Sequence, residues 1–191
     1  VGPSRLALIG AVDSSVEDAF AALVARRLAG EPLQYLTGVA WFRTVQVQVE
    51  PGVFIPRPET EVMVGWALEQ AAELGPHPVV VELCAGSGAI SAAIAAERPG
   101  CRQYAVELSE PAYRAAIGNL AGTGVDLRLG DMAEAFAELD GQVDLVIANP
   151  PYIPLEMWEH VAAEVRTHEP EVALFSGPDG LDAMRVVAQV A

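Results

Sequence analysis

In Val79-Val80-Val81-Glu82-Leu83-Cys84-Ala85-Gly86-Ser87-Gly88, an apolar run with no alternation leads into a turn that carries two glycines. Such a run is the pattern of a strand covered on both faces. Gly86 and Gly88 let the backbone turn sharply and approach a ligand at the N-terminus of the helix that follows. Downstream, the unit of short strand, turn and helix recurs. Gln103–Glu107, Val125–Leu129 and Val143–Ala148 are the further strands, each separated from the next by a helical stretch of suitable length. This is the pattern of right-handed βαβ crossovers, and it predicts a doubly wound α/β domain over residues 76–191 with a mostly parallel, Rossmann-like sheet.

Upstream the pattern changes. Ser15 is placed to cap a helix that begins with Glu17 and Asp18, carries Phe20, Leu23, Val24 and Leu28 at helical spacing, and ends near Gly30. This helical part occupies residues 1–38. Residues 39–75 form a hairpin and a linker helix. From Trp41 to Glu50, Val45, Val47 and Val49 alternate with Thr44, Gln46 and Gln48, which predicts a half-buried strand as one arm of the hairpin. Pro51-Gly52 ends it. Val53, Phe54 and Ile55 then lead into Pro56-Arg57-Pro58, held extended by its prolines before a helix begins around Glu59. Trp66 falls on the amphipathic pattern of that helix and is expected in the core.

The composition is globular, 52% hydrophobic and 19% charged over 191 residues, which is enough to bury a sizeable core. No apolar run approaches the roughly 18 residues needed to cross a bilayer. Val1–Val12 has Arg5 as its one positive charge and no cleavage pattern, so no signal peptide is expected and the cytoplasm is the default location. A formal charge of −15, from 11 basic and 26 acidic residues, disfavours a nucleic-acid substrate, because phosphate binding draws on Lys and Arg. Cys84 and Cys101 are too far apart for a CxxC site, and His77, His160 and His168 are scattered. No metal site is expected, and both cysteines read as small buried hydrophobes.

In an open parallel sheet, ligands bind beyond the carboxyl ends of the strands. Ile90 and Ser91 follow Gly88, so the turn lacks the third glycine of G-x-G-x-x-G and argues against a pyrophosphate. Glu82 suits a ligand carrying an ammonium and a sulfonium instead. Glu107, at the next strand end, can accept both hydroxyls of a ribose; otherwise it is a solvated loop acid. Asp131, at the third, can accept from an adenine amino group. The fourth end is Asp144-Leu145-Val146-Ile147-Ala148-Asn149-Pro150-Pro151-Tyr152. Asn149 offers a side-chain carbonyl, and Pro150 offers a main-chain carbonyl on a segment that Pro151 stiffens. Two such acceptors suit an NH2 group. Tyr152 adds an aromatic face for a planar amide or base and can attract developing positive charge. Alternatively the Pro-Pro pair merely ends the strand and Asn149 closes a turn. The four strand ends agree in order and spacing, which favours the chemical reading.

These residues resemble class I S-adenosylmethionine methyltransferases, and within them the HemK/PrmC-type enzymes that methylate a glutamine side chain of bacterial peptide chain release factors. The resemblance runs from about Arg27 to Leu181. It rests on Glu31-Pro32-Leu33-Gln34-Tyr35-Leu36-Thr37-Gly38, on Pro51 to Glu61, on Asn149 to Ile153, and on His168-Glu169-Pro170 with Gly177-Pro178-Asp179-Gly180-Leu181. The Asn-Pro-Pro-Tyr element also occurs in adenine-N6 DNA and guanine RNA methyltransferases, whereas Ile55-Pro56-Arg57-Pro58-Glu59-Thr60-Glu61 is more specific to the glutamine enzymes. The resemblance implies S-adenosylmethionine as cofactor, S-adenosylhomocysteine as product, and the Gly-Gly-Gln glutamine of a class 1 release factor as substrate, methylated on its side-chain amide. It implies Glu82, Cys84, Ala85, Gly86, Gly88, Glu107, Asp131 and Asn149 at the cofactor. Asn149, Pro150 and Tyr152 become catalytic, with Pro151, Pro56, Arg57 and Glu59 forming the substrate pocket.

Two departures stand out. The family's turn usually runs Asp-Leu-Gly-Thr-Gly-Ser-Gly, whereas here Glu82 replaces the Asp and Cys84-Ala85 replace Gly-Thr, with both later glycines kept. Ala191 falls inside a helical pattern, so the last strands of the usual seven-stranded sheet are not expected, and the N-terminal helical region is short. The rival readings are an adenine or guanine amino methyltransferase and a cofactor-binding module without catalysis.

Overall fold

In the computed structural model, which describes residues 13–191, helix α1 (Ser14–Leu28) is capped by Asp13, whose carboxylate accepts the Ser15 N–H at 2.8 Å. Ser15 is therefore a first-turn donor and not the expected cap. The charged oxygen of Asp13 is the better acceptor at the positive end of a helix. The signal-peptide reading of Val1–Val12 lies outside the described residues. A short helix α2 (Leu33–Thr37) stops at Gly38, which takes a left-handed conformation.

Strands β1 (Val39–Phe42) and β2 (Val45–Gln48) form an antiparallel hairpin. The alternating stretch expected to be one arm thus holds parts of both, because Arg43 turns the chain at φ 49°. A left-handed arginine is unusual. Here its guanidinium grips both carboxylate oxygens of Glu97 at 2.7 and 2.8 Å and the Glu61 carbonyl at 2.9 Å. Helix α3 (Pro58–Glu73) starts on a proline, where the missing N–H costs nothing. It buries Val64, Ala67 and Ala71, and that face leaves Trp66 55% exposed, not in the core as expected.

The parallel sheet comprises β3 (Val79–Leu83), β4 (Arg102–Glu107), β5 (Asp126–Leu129) and β6 (Leu145–Ala148), in the order β5-β4-β3-β6. Helices α4 (Ala89–Glu97) and α5 (Glu110–Asn119) connect the first three strands. The chain builds outward from β3 and then returns to its other side as β6, making a switch point at the carboxyl end of β3. All five residues of β3 are buried, whereas Asp126 and Leu129 of the edge strand β5 are exposed.

The expected helix between β5 and β6 is absent; a single 3-10 turn, Ala137–Leu139, stands in its place. Met132, Ala135, Phe136 and Leu139 have helical spacing, but Phe136 adopts φ 60°. Its ring packs edge-on against Tyr104 and under the Arg128 guanidinium, and these tertiary contacts override the local pattern. The chain closes with α6 (Ala163–His168) and α7 (Asp182–Val190). One core cluster joins the hairpin, α3, α4 and α5 to the sheet; a second lies on the opposite face, where Phe136, Leu139 and Val187 pack over Val81 and Val106.

Candidate active site

A cavity of about 370 Å3 opens beyond the carboxyl ends of the strands. Its size suits a small-molecule ligand. Glu82, Glu107, Asp131 and Asn149, one from each strand end, all line it.

Glu82 is 1% exposed. Its Oε2 accepts the Ser91 N–H at 2.9 Å and also the Ser91 hydroxyl, while Oε1 is buried with no partner. Burial pushes its pKa up to about 8, partly offset by the bonds from Ser91. A buried carboxyl oxygen left unpaired is costly, and it marks a position where a donor or a cation would be welcome.

The turn after β3 carries positive φ at Cys84, Gly86 and Gly88. A Cβ at Gly86 would meet nothing within 4 Å, so this glycine leaves open space in the cavity wall. A Cβ at Gly88 would lie 3.1 Å from the Leu120 side chain. Gly88 thus serves close packing and is not among the cavity residues, unlike Cys84 and Ala85, which are. Both cysteines are half-buried and free, not fully buried as expected. Cys84 Sγ lies 3.6 Å from Met132 Sδ, and burial pushes its thiol up to about 12, away from thiolate chemistry.

Glu107 is no solvated loop acid. Oε2 accepts the Gly86 N–H at 2.6 Å and Oε1 accepts the Ser109 N–H at 2.7 Å, so one carboxylate fixes the turns after both β3 and β4. Each oxygen keeps a second acceptor site. Asp131 is exposed; its Oδ1 accepts the Ala133 N–H at 2.9 Å.

At the fourth strand end, Asn149 and Pro151 line the cavity. The Asn149 side chain makes no hydrogen bond among the described residues. Pro150 is buried and Tyr152 is 60% exposed, outside the cavity lining. The loop is pinned from behind: Ile153 donates to the Leu174 carbonyl at 2.9 Å and accepts the Ser176 N–H at 3.0 Å. Gly180 packs so closely that a Cβ there would collide with the Tyr152 carbonyl, which explains a glycine in Gly177-Pro178-Asp179-Gly180.

From the proline-rich stretch, Pro56 lines the cavity, as do Phe54 and Thr60. Arg57 and Glu59 do not. Glu59 is exposed in the first turn of α3, where a carboxylate suits the helix dipole. Arg57 turns away to an ion pair with Glu169, whose side chain is 2% exposed. The sequence pattern assigns no role to Glu169 or Ser91; the His168-Glu169-Pro170 stretch is the available signal for the first. Among the described residues no group of His, Cys, Asp and Glu gathers as metal ligands, and no helix is long and apolar enough to cross a membrane.

Residues 80–168 match a methyltransferase domain family, and residues 5–38 match the PrmC N-terminal domain. The release factor glutamine methyltransferase of Streptomyces coelicolor is 54% identical over 94% of this chain and 64% of its own length. That of Mycolicibacterium smegmatis is 44% identical over 100% of this chain and 67% of its own. The chain belongs to the HemK/PrmC-type family of class I methyltransferases.

Another relative of this HemK/PrmC-type chain, the 4-amino-L-phenylalanine/4-methylamino-L-phenylalanine methyltransferase of Streptomyces pristinaespiralis, is 41% identical over 88% of this chain and 59% of its own length. The chain spans between 59% and 67% of the length of these three relatives. Among solved structures, the hMettl16 catalytic domain in complex with a MAT2A 3'UTR hairpin superposes with a TM-score of 0.57 at 11% identity, covering 90% of this chain and 71% of that one. At that identity the likeness is one of fold alone.

Proposed function

We propose that this chain transfers a methyl group from S-adenosylmethionine to the side-chain amide of the Gly-Gly-Gln glutamine in a class 1 peptide chain release factor. The observation that carries the proposal is the unpaired Asn149 amide, which lines the same cavity as the orphaned Glu82 oxygen.

The cavity fits the cofactor. Four acids, Glu82, Glu107, Asp131 and Asp182, line it, and no Lys or Arg does so among the described residues. Those carboxylate acceptors suit a ligand bearing an ammonium and a sulfonium and would repel a pyrophosphate. Glu82 Oε1 would take the ammonium, Glu107 the ribose hydroxyls and Asp131 the adenine amino group, while Gly86 leaves room for the ligand to lie close. S-adenosylmethionine, when bound, supplies a methyl group activated by its positively charged sulfur.

An amide nitrogen is a poor nucleophile because its lone pair is delocalised, so the protein must orient it. Asn149 Oδ1 and the Pro150 carbonyl would each accept one N–H of the substrate amide and hold the nitrogen towards the cavity, an effect of proximity and alignment. The same two acceptors stabilise the positive charge that grows on nitrogen, and Tyr152, at the exposed rim, offers its ring face. The protonated N-methyl amide is a strong acid, so its proton passes to water without a dedicated base.

The test is incubation with methyl-labelled S-adenosylmethionine and, in separate arms, a class 1 release factor, its glutamine-to-alanine variant, DNA, RNA and 4-amino-L-phenylalanine. Label on the wild-type factor alone is the expected result. Label on nucleic acid would move the assignment to a base amino group, label on the aryl amine to a small-molecule acceptor, and cofactor binding with no transfer to a non-catalytic module.

A further inference from the structure

Beyond the strand ends, three further stretches carry the family pattern: Glu31 to Gly38, Pro51 to Glu61 and His168 to Pro170. The structure ties them to one another. Tyr35 donates its hydroxyl to the Val53 carbonyl at 2.7 Å. Glu169 accepts the Ile55 N–H on Oε2 at 3.3 Å and the Arg57 guanidinium on Oε1. Arg57 also donates to the Ile55 carbonyl at 3.0 Å and lies 4.6 Å over the Phe54 ring. One buried carboxylate therefore holds residues 55–57 through main chain and side chain together, while Tyr35 holds Val53. Each side of the clamp runs directly into a cavity wall, Phe54 and Pro56 on one, Pro170 and Val172 on the other.

We propose that Glu169, acting through Arg57 and the Ile55 N–H, is a positioning residue that fixes the spacing between these two walls at the acceptor end of the cavity. The inference rests on the methyl-transfer reading above. An arginine is the right partner for such a clamp, because its guanidinium fork reaches a carboxylate and a carbonyl at once, which a lysine ammonium cannot do in the same planar geometry. The hydrogen bonds that organise the cofactor end, those of Glu82 with Ser91 and of Glu107 with Gly86 and Ser109, share no partner with the clamp. Loosening the clamp should disturb the acceptor and spare the cofactor.

The experiment compares the protein with Glu169→Gln, Arg57→Lys and the double variant. Calorimetry gives the Kd for S-adenosylmethionine, and initial rates give kcat and KM for the release factor. Each single variant is expected to lower kcat/KM for the release factor tenfold or more while the cofactor Kd stays within about threefold. The double variant should be no worse than the poorer single, because both remove one unit. Independently of turnover, amide exchange at Ile55 should quicken tenfold or more in Glu169→Ala, which deletes its acceptor.

A double variant whose losses multiply, a cofactor Kd that rises in step with the catalytic loss, or unmoved Ile55 exchange would each overturn the proposal. Should Glu169→Gln fail to fold, Arg57→Lys, which keeps a cation beside Glu169, carries the same kinetic comparison. A parent that methylates no release factor would defeat the functional reading instead, and the Ile55 exchange would then decide the clamp by itself.

Discussion

Asn149 has an amide that no described neighbour uses, in the lining of a cavity where each of the three strand-end acids already accepts a main-chain N–H. Asn149→Ala should therefore cost little stability. It should lower kcat by about 100-fold, the scale of a lost alignment, and leave the cofactor Kd nearly unchanged. Single-turnover rates beside calorimetry would separate the two, and unchanged turnover would remove Asn149 from the mechanism. Cys84 carries a different expectation. At φ 60° it occupies a conformation that β-branched residues tolerate poorly. Cys84→Val should destabilise the fold by about 2 kcal/mol, whereas Cys84→Gly should stay within about 1 kcal/mol of the parent, measured by urea unfolding. Gly86 and Asn149 were legible as cavity-lining strand-end positions because short-range spacing after a strand announces them. Gly88 and Arg57 were misplaced for the opposite reason: what each touches, Leu120 and Glu169, lies far away in sequence.

At the scale of elements, period and turn chemistry located the strands of the parallel sheet and the linker helix, and failed where a tertiary contact set the backbone. The hairpin turn is one such place. Nothing local to Arg43-Thr44 signals a left-handed turn; Glu97, in α4, supplies the reason. Arg43→Ala deletes a charge-assisted pair that is only about a fifth exposed on each side, and it leaves a non-glycine residue at positive φ. It should cost about 2 kcal/mol. Arg43→Gly loses the same pair but relieves the backbone, recovering about 1 kcal/mol of that loss. A shift of the urea midpoint without a change in m would attribute both effects to native stability. An Arg43→Gly variant no more stable than Arg43→Ala would show that the turn carries no strain. The β5–β6 connection failed in the same way, its helical spacing overruled by the Tyr104 and Arg128 contacts of Phe136.

For the whole molecule, the excess of acid over base gave the clearest early inference, a disfavoured nucleic-acid substrate, but it could not reveal that one acid is held in the interior with half its carboxyl unpaired. Glu82 makes that acidity a stability variable. Its folded pKa, about 8, lies above the ordinary value of 4.5 because burial penalises the charged form. Between those values the native state holds a proton that the unfolded chain has released. The native state therefore binds more protons, and its stability falls as pH rises from about 5 to 8. Asp179 works in the opposite sense: the Arg185 guanidinium holds it down to about 2, so its contribution is present above pH 3.8 and fades only as the pH falls below that value. The two windows do not overlap, which makes the Glu82 effect separable. Urea unfolding at pH 5, 6, 7 and 8 should show a declining stability for the parent and a flatter profile for Glu82→Gln, which removes the titration while keeping the shape. A slope retained in Glu82→Gln would assign the pH dependence to other groups and remove the buried Glu82 carboxyl as its source.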